Sequence, residues 1–108
     1  MKTTTLLLGL FFILLTPFAQ SAHINCKGKV SWLMADHSAC GGHMAFKTDA
    51  TGGRGGKWMC TKSKEAGSIA LTALTADKTV EVYIEAGDVS SCKELPHYRK
   101  IAYIIINP

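Results

Sequence analysis

The chain has 108 residues and a formal net charge of +4, with 12 Lys and Arg against 8 Asp and Glu. This length allows one small domain, and the basic residues are scattered along it rather than massed in one segment, so we expect no nucleic-acid partner. The four cysteines contain no CxxC spacing, which excludes a thioredoxin-like redox site.

The first 22 residues have the pattern of a secretory signal peptide. A single lysine precedes the apolar run Leu6 to Leu15, and small residues ending at Ala22 provide a cleavage site. The run is too short to span a bilayer, which takes about 20 residues. We therefore expect a signal peptide at 1–22, a single domain at 23–108, and a secreted or periplasmic protein without a transmembrane span.

All the cysteines lie in the predicted exported part of the chain. An even number of cysteines in a small domain of an oxidising compartment indicates two disulfides. The sequence leaves three pairings open, and of these we favour Cys26 with Cys60 and Cys40 with Cys92.

Three strands are predicted before the helix, because apolar and polar residues alternate. They cover residues 26–34, 43–48 and 57–62. The inward sides of the first and third strands carry Val30, Trp32, Met34, Trp58 and Cys60. The two tryptophans are therefore expected to pack in the core.

The glycine-rich stretch TGGRGGKWMC, residues 51–60, does not match a phosphate-binding loop. Such a loop needs a glycine five residues before its Gly-Lys pair and a hydroxyl residue after it. Thr51 and Trp58 occupy those positions here. The stretch is therefore interpreted as the tip of a hairpin.

A change of period after the third strand predicts one helix, which Ser63 can cap and which contains Gly67. The strand at 79–86, TVEVYIEA, follows with one apolar face. The last strand, 98–106, is apolar on both faces, which is typical of a sheet centre or a subunit contact. Five strands with a helix after the third predict a mainly β, OB-fold-like Greek-key barrel, although an α+β layer has the same element order.

The sequence gives little support for a catalytic site or a metal site. The segment DHSACGGH could be drawn as a zinc site, but Cys40 is expected to be oxidised, which leaves at most three ligands. No nucleophile elbow occurs, and no carboxylate pair is placed for acid-base chemistry. We therefore expect no enzyme, no metal and no cofactor.

A binding surface is the remaining hypothesis. Carbohydrate sites combine amphipathic aromatic side chains with polar partners, because a sugar has an apolar face and a rim of hydroxyl groups. The candidate ligand-binding residues are Lys27, Asp36, His43, Arg54, Tyr83 and Tyr98.

The segment from Lys57 to Gly87 contains W-M-C-T-K-S-K, A-L-T-A-D-K-T and V-E-V-Y-I-E-A-G. In these motifs, with the signal peptide and the disulfides, the chain resembles the pentameric B subunits of bacterial A-B toxins, in the pertussis-like and subtilase cytotoxin branch, and related small exported bacterial proteins. Asp77 stands where that family usually has glycine. The resemblance implies an OB-fold, a homopentamer, a host surface glycan as ligand and a toxin A subunit as a further partner.

The sequence therefore predicts a secreted, glycan-binding protein similar to a toxin B subunit, with a role in bacterial virulence. The alternative is a secreted or periplasmic protein-binding module, such as an enzyme inhibitor. The two hypotheses differ in oligomeric state, since the first requires a ring and the second fits a monomer.

Overall fold

The protein is described by a computed structural model that covers residues 23–107, apart from the side chain of Arg54. The predicted signal peptide, residues 1–22, lies outside the described residues. Within the described range no helix is long and apolar enough to cross a bilayer. The elements of this range are β1 (His23–Met34), β2 (Ala45–Thr48), β3 (Met59–Cys60), α1 (Lys64–Ala76), β4 (Thr79–Glu85), β5 (Arg99–Lys100) and β6 (Tyr103–Ile106).

The strands form one mixed sheet in the order β5, β3, β2, β1, β4, β6. All neighbours are antiparallel except β3 and β5, which run parallel. β5 and β6 come from the predicted last strand, which is interrupted between them, so the sheet has six strands instead of five. The Ile101 N–H donates to the carbonyl of Cys60 at 3.0 Å, and the Ala102 N–H donates to that of Tyr83 at 2.7 Å. One continuous segment therefore reaches both edges of the sheet.

The main core lies between α1 and the inner face of the sheet. Val80, Val82 and Ile84 are fully buried, which confirms the apolar face predicted for this strand. The helix contributes Ala70 and Ala73, whose small side chains let it approach the sheet closely. The chain is therefore mainly β with one packed helix.

α1 begins at the residue that the sequence indicates. The Ser63 hydroxyl accepts a hydrogen bond from the Ala66 N–H at 3.1 Å, as an N-cap residue does. At the other end Asp77 has a φ of 54°, the left-handed conformation that ends many helices and favours glycine. Asp77 therefore ends the helix as its C-cap residue.

A β-bulge in β1 changes which face of the sheet the side chains after Val30 occupy. Val30 pairs with Thr48 but Trp32 pairs with Lys47, so Ser31 is an extra residue in β1. The extra residue moves Trp32 to the outer face, where it is 46% exposed. The expectation that Trp32 packs in the core is therefore wrong.

All four cysteines form disulfides, but the favoured pairing is wrong. Cys26 bonds to Cys92, with a Cα–Cα distance of 5.8 Å, and Cys40 bonds to Cys60, at 5.1 Å. Cys26 lies in the main core, whereas Cys60 belongs to a second cluster that contains Cys40 and Ala45. Because the two clusters are separate, Cys26 and Cys60 do not meet.

Arg99 ties the loop after β4 to the sheet. Its guanidinium donates to both carboxylate oxygens of Asp88, at 3.1 and 2.6 Å, and to the Glu85 carbonyl at 3.1 Å. The hydrogen bond from Arg99 is the largest cause of a lowered pKa at Asp88. The folded state therefore favours the charged form of this carboxyl group.

This ion pair predicts a loss of stability in acid. Because the pKa of Asp88 is lower in the folded state, its stabilisation is present above the ordinary aspartate pKa of about 3.9 and is lost as the pH falls through the folded value. Urea denaturation from pH 7 to pH 2 should show a smaller fall in unfolding free energy for Asp88→Asn than for the wild type. Identical pH profiles would contradict this assignment.

Candidate functional site

A cavity of about 490 Å³ lies between the β1–β2 loop and the beginning of α1. It brings together two of the predicted ligand-binding residues, Asp36 and His43, which come from the two ends of that loop. The remaining polar lining comes from the helix, as Ser63, Lys64 and Ser68. The cavity thus presents a carboxylate, an imidazole, an ammonium group and two hydroxyl groups around one space.

The β1–β2 loop is held in place by its own hydrogen bonds. The carbonyl of His37 accepts from the N–H groups of Cys40 at 3.0 Å and Gly42 at 2.9 Å, and the His37 N–H donates to the His43 carbonyl at 3.1 Å. The disulfide to Cys60 then fixes the loop to β3. These contacts fix the backbone conformation around Asp36 and His43. Asp36 itself has a φ of 55°.

Gly67 explains how the loop can approach the helix. A Cβ atom at this buried position would lie 3.0 Å from the Met44 sulfur, closer than ordinary contact. The glycine that weakens the helix by up to about 1 kcal/mol therefore provides space for Met44. Met44 and Gly67 form an apolar part of the cavity wall.

Tyr98, another predicted binding residue, does not line this cavity. Its ring stacks on His37 with a centroid distance of 4.4 Å and packs against the cluster around the Cys40–Cys60 disulfide. The imidazole Nδ1 of His37 in turn accepts from the Ala39 N–H at 3.0 Å. Tyr98 therefore packs against the β1–β2 loop outside the cavity.

Lys27 and Tyr83 lie on the outer face of β1 and β4, also away from the cavity. The Tyr83 ring stacks on Tyr103 of β6 at 4.6 Å. Asn25 donates to the Tyr83 hydroxyl at 3.2 Å and to the Glu81 carboxylate at 2.9 Å. The hydrogen bond from Asn25 to the Glu81 carboxylate is the largest cause of a lowered pKa at Glu81. The face is a mixed aromatic and polar surface.

A third surface, which the alternation of residues does not predict, is the row formed by Trp32, Lys47 and Trp58. Trp32 pairs with Lys47 across β1 and β2. The Lys47 ammonium lies 4.8 Å from the centre of the Trp58 ring. No pattern in the sequence indicates this row, because the bulge that brings Trp32 to the outer face does not show in the alternation of residues.

The last candidate, Arg54, has a side chain outside the described part of the structure. Residues 23–107 hold no group of three His, Cys, Asp or Glu side chains placed to bind a metal ion. Cys40 is oxidised and cannot serve as a thiolate ligand. No known protein-family model matches the chain, and no curated protein matches it.

Proposed function

We propose that the protein is a secreted, toxin-B-subunit-like protein that recognises host surface carbohydrate as a homopentamer. The observation that carries the binding part of this proposal is the cavity beside α1, where Asp36 and His43 meet the hydroxyl groups of Ser63 and Ser68. Its volume of about 490 Å³ falls in the range of small-molecule sites.

The lining of the cavity suits a sugar. Asp36 can accept hydrogen bonds from two adjacent sugar hydroxyl groups, whereas Lys64 can donate and the serine hydroxyls can do either. Met44 and Gly67 offer an apolar wall for the C–H face of the sugar ring. We therefore assign the primary carbohydrate site to this cavity.

The strand order supports an OB-fold-like barrel as the scaffold. Residues 99–106 pair in parallel with β3 and antiparallel with β4, and these two strands lie towards opposite ends of the sheet. If β5 and β6 are counted as one interrupted strand, the helix stands between the third and fourth of five strands. That element order is the one expected of the fold.

The exposed apolar residues of β6 and α1 support the oligomer. β6 is hydrogen-bonded to β4 alone among the described strands, so its other edge is open. Tyr103 and Ile105 on this strand are 49% and 44% exposed, and Leu71 and Leu74 on the helix are 44% and 38% exposed. An open edge with apolar side chains favours pairing with another chain, here a second copy.

A ring would compensate for a shallow site. A single sugar site with millimolar affinity provides only about 4 kcal/mol of binding free energy. Several such sites on one ring can raise the avidity for a membrane by about 100- to 10,000-fold. Association through β6 and α1 would thus give this domain a function that its monomer lacks.

Two measurements test this proposal. Native mass spectrometry of the exported protein should show a five-fold species, and a glycan array should show binding by that species. A monomer at high concentration would contradict the ring. An intact pentamer that binds no glycan would contradict carbohydrate recognition.

A matched pair of variants tests the assignment of the site. Asp36→Gly should lower glycan binding about tenfold, because hydrogen bonds to a charged group are lost. Asp77→Gly makes the same substitution at another exposed aspartate of positive φ, outside the cavity, and should bind as the wild type does. Array binding by Asp36→Gly equal to that by Asp77→Gly would overturn the assignment.

The open edge of β6 also favours a second candidate function. A strand edge can accept the extended segment of another protein, as many peptide-binding domains do. A monomeric protein would use the edge in this way, as an enzyme inhibitor or a similar protein-binding module. The native mass measurement separates this candidate from the ring.

A further inference from the structure

His37 holds the β1–β2 loop through both its backbone and its side chain. Its N–H and its carbonyl are bonded within the loop. Its imidazole Nδ1 accepts from the Ala39 N–H at 3.0 Å and caps the short 3-10 helix Ser38–Cys40. The position of Asp36 and His43 at the cavity therefore depends on this one residue.

A second histidine is bonded in the same way. The Nδ1 atom of His97 accepts from the Trp58 N–H at 3.3 Å, and the Tyr98 N–H donates to the Trp58 carbonyl at 2.7 Å. These two bonds join the chain before β5 to the chain before β3. The Tyr98 ring stacks on that of His37 at 4.4 Å and lies 5.8 Å from that of His97. Two imidazoles thus meet at one tyrosine, and each accepts a backbone hydrogen bond.

Only a neutral imidazole can accept these bonds. A neutral ring has one N–H group and one nitrogen lone pair, whereas an imidazolium has an N–H group at both nitrogens. Histidine is the only side chain that ordinarily changes charge between about pH 5 and pH 8. Protonation of His37 would remove the cap of the 3-10 helix and place an N–H group opposite that of Ala39.

The surroundings of the two rings are mainly basic. Besides the two histidines, the charged and titratable residues at 35–48, 57–62 and 97–100 are Asp36, His43, Lys47, Lys57, Lys62, Tyr98, Arg99 and Lys100. Asp36 is the one carboxylate of this group and lines the cavity, and Arg99 is already paired with Asp88. Two imidazolium groups beside one tyrosine would also repel each other. Acid therefore weakens the contact between the loop and Tyr98.

We propose that His37 and His97 form a pH-sensitive switch that opens the β1–β2 loop in acid. At neutral pH both rings accept their backbone hydrogen bonds, and the cavity is formed. On acidification each ring takes up a proton from the solvent at Nδ1, the loop moves away from Tyr98, and the cavity releases its ligand. The release rests on the proposed carbohydrate-binding function, whereas the opening of the loop needs no ligand.

Amide hydrogen exchange of the exported protein, followed by NMR, measures the opening without a ligand. Between about pH 7.5 and about pH 5 the protection factors of the Ala39 and Trp58 amides should fall about fivefold, because each loses its acceptor. In His37→Asn the protection factor of Ala39 should stay constant, since asparagine caps a helix at every pH in this range. His23→Asn removes a histidine of β1 outside the loop and should keep the wild-type response.

Glycan binding tests the consequence for the cavity. Wild-type binding on the array should be about tenfold weaker at the acidic pH, and His37→Asn should bind equally well at both pH values. The comparison uses the ratio between the two pH values, so a change in absolute affinity does not affect it. His43 is present in both proteins, so its own protonation cannot cause the difference between them.

The outcomes distinguish the switch from the proposed function. A wild-type protection factor of Ala39 that stays constant with pH would overturn the switch, and this measurement does not depend on any variant. A His37→Asn protein that keeps the wild-type response would overturn it as well. A loop that opens in acid in a protein that binds no glycan at either pH would support the switch and overturn the proposed function.

Discussion

Replacement of both Cys26 and Cys92 by alanine is expected to lower the free energy of unfolding by about 4 kcal/mol. The bond joins residues separated by 66 positions, so it excludes many extended conformations of the unfolded chain. This loss is a large part of the 5–15 kcal/mol that is typical of a folded domain. Urea denaturation of the exported double variant, followed by circular dichroism, measures it.

The other disulfide provides the control. The Cys40→Ala, Cys60→Ala variant opens a loop with a separation of 20 residues and should lose about 3 kcal/mol by the same argument. Only this second variant should also lose the proposed glycan binding, because its disulfide fixes the loop that carries Asp36 and His43. A larger loss for the shorter loop would contradict the loop-length account. Equal glycan binding by both variants, measured where each is folded, would contradict the role of the Cys40 loop.

Substitution of Gly56 by alanine should destabilise the protein by about 3 kcal/mol or more. A Cβ atom at this position would lie 2.1 Å from the carbonyl oxygen of Thr51 and 2.6 Å from its carbonyl carbon. Both are backbone atoms, so no side-chain rotation can relieve the clash. The Lys57 N–H also donates to this Thr51 carbonyl at 3.2 Å, and the substitution should disturb that bond.

Gly55 is the matched control. It is the preceding residue, its added Cβ would meet nothing within 4 Å, and its φ is not positive. Gly55→Ala should therefore leave the melting temperature unchanged or raise it slightly, since alanine restricts the unfolded chain. Equal melting temperatures for Gly55→Ala and Gly56→Ala would contradict the predicted clash. The close approach of Gly56 to Thr51 thus explains why this position of the glycine-rich stretch needs a glycine.

The sequence predicts those elements of this fold that depend on local patterns. The strand that contains Val80, Val82 and Ile84 follows from strict alternation, and the beginning of α1 follows from the ability of Ser63 to accept a backbone hydrogen bond. The pairing of the disulfides does not follow, because it depends on which face of the sheet each cysteine occupies. The division of the last strand does not follow either, since two different neighbours pair with its two halves.

The candidate site was likewise predictable only where it depends on residues that are close in the sequence. Asp36 and His43 belong to one short loop, and the sequence shows that they are near each other. Their meeting with Ser68 depends on the packing of the loop against α1, which Gly67 and Met44 make possible. The alternation pattern predicts the wrong face for Trp32, because a single extra residue in β1 reverses the alternation after Val30.

The segment that reaches both edges of the sheet affects how the protein can fold, because it completes the pairing of two strands that lie far apart in the sheet. Until residues 99–106 are in place, β3 has no parallel neighbour and β4 has no outer neighbour. Neither half of the sheet is therefore complete until this one segment has paired with both strands. Both pairings join residues that are far apart in the sequence, which slows folding, and loosening of this one segment exposes two strands at once.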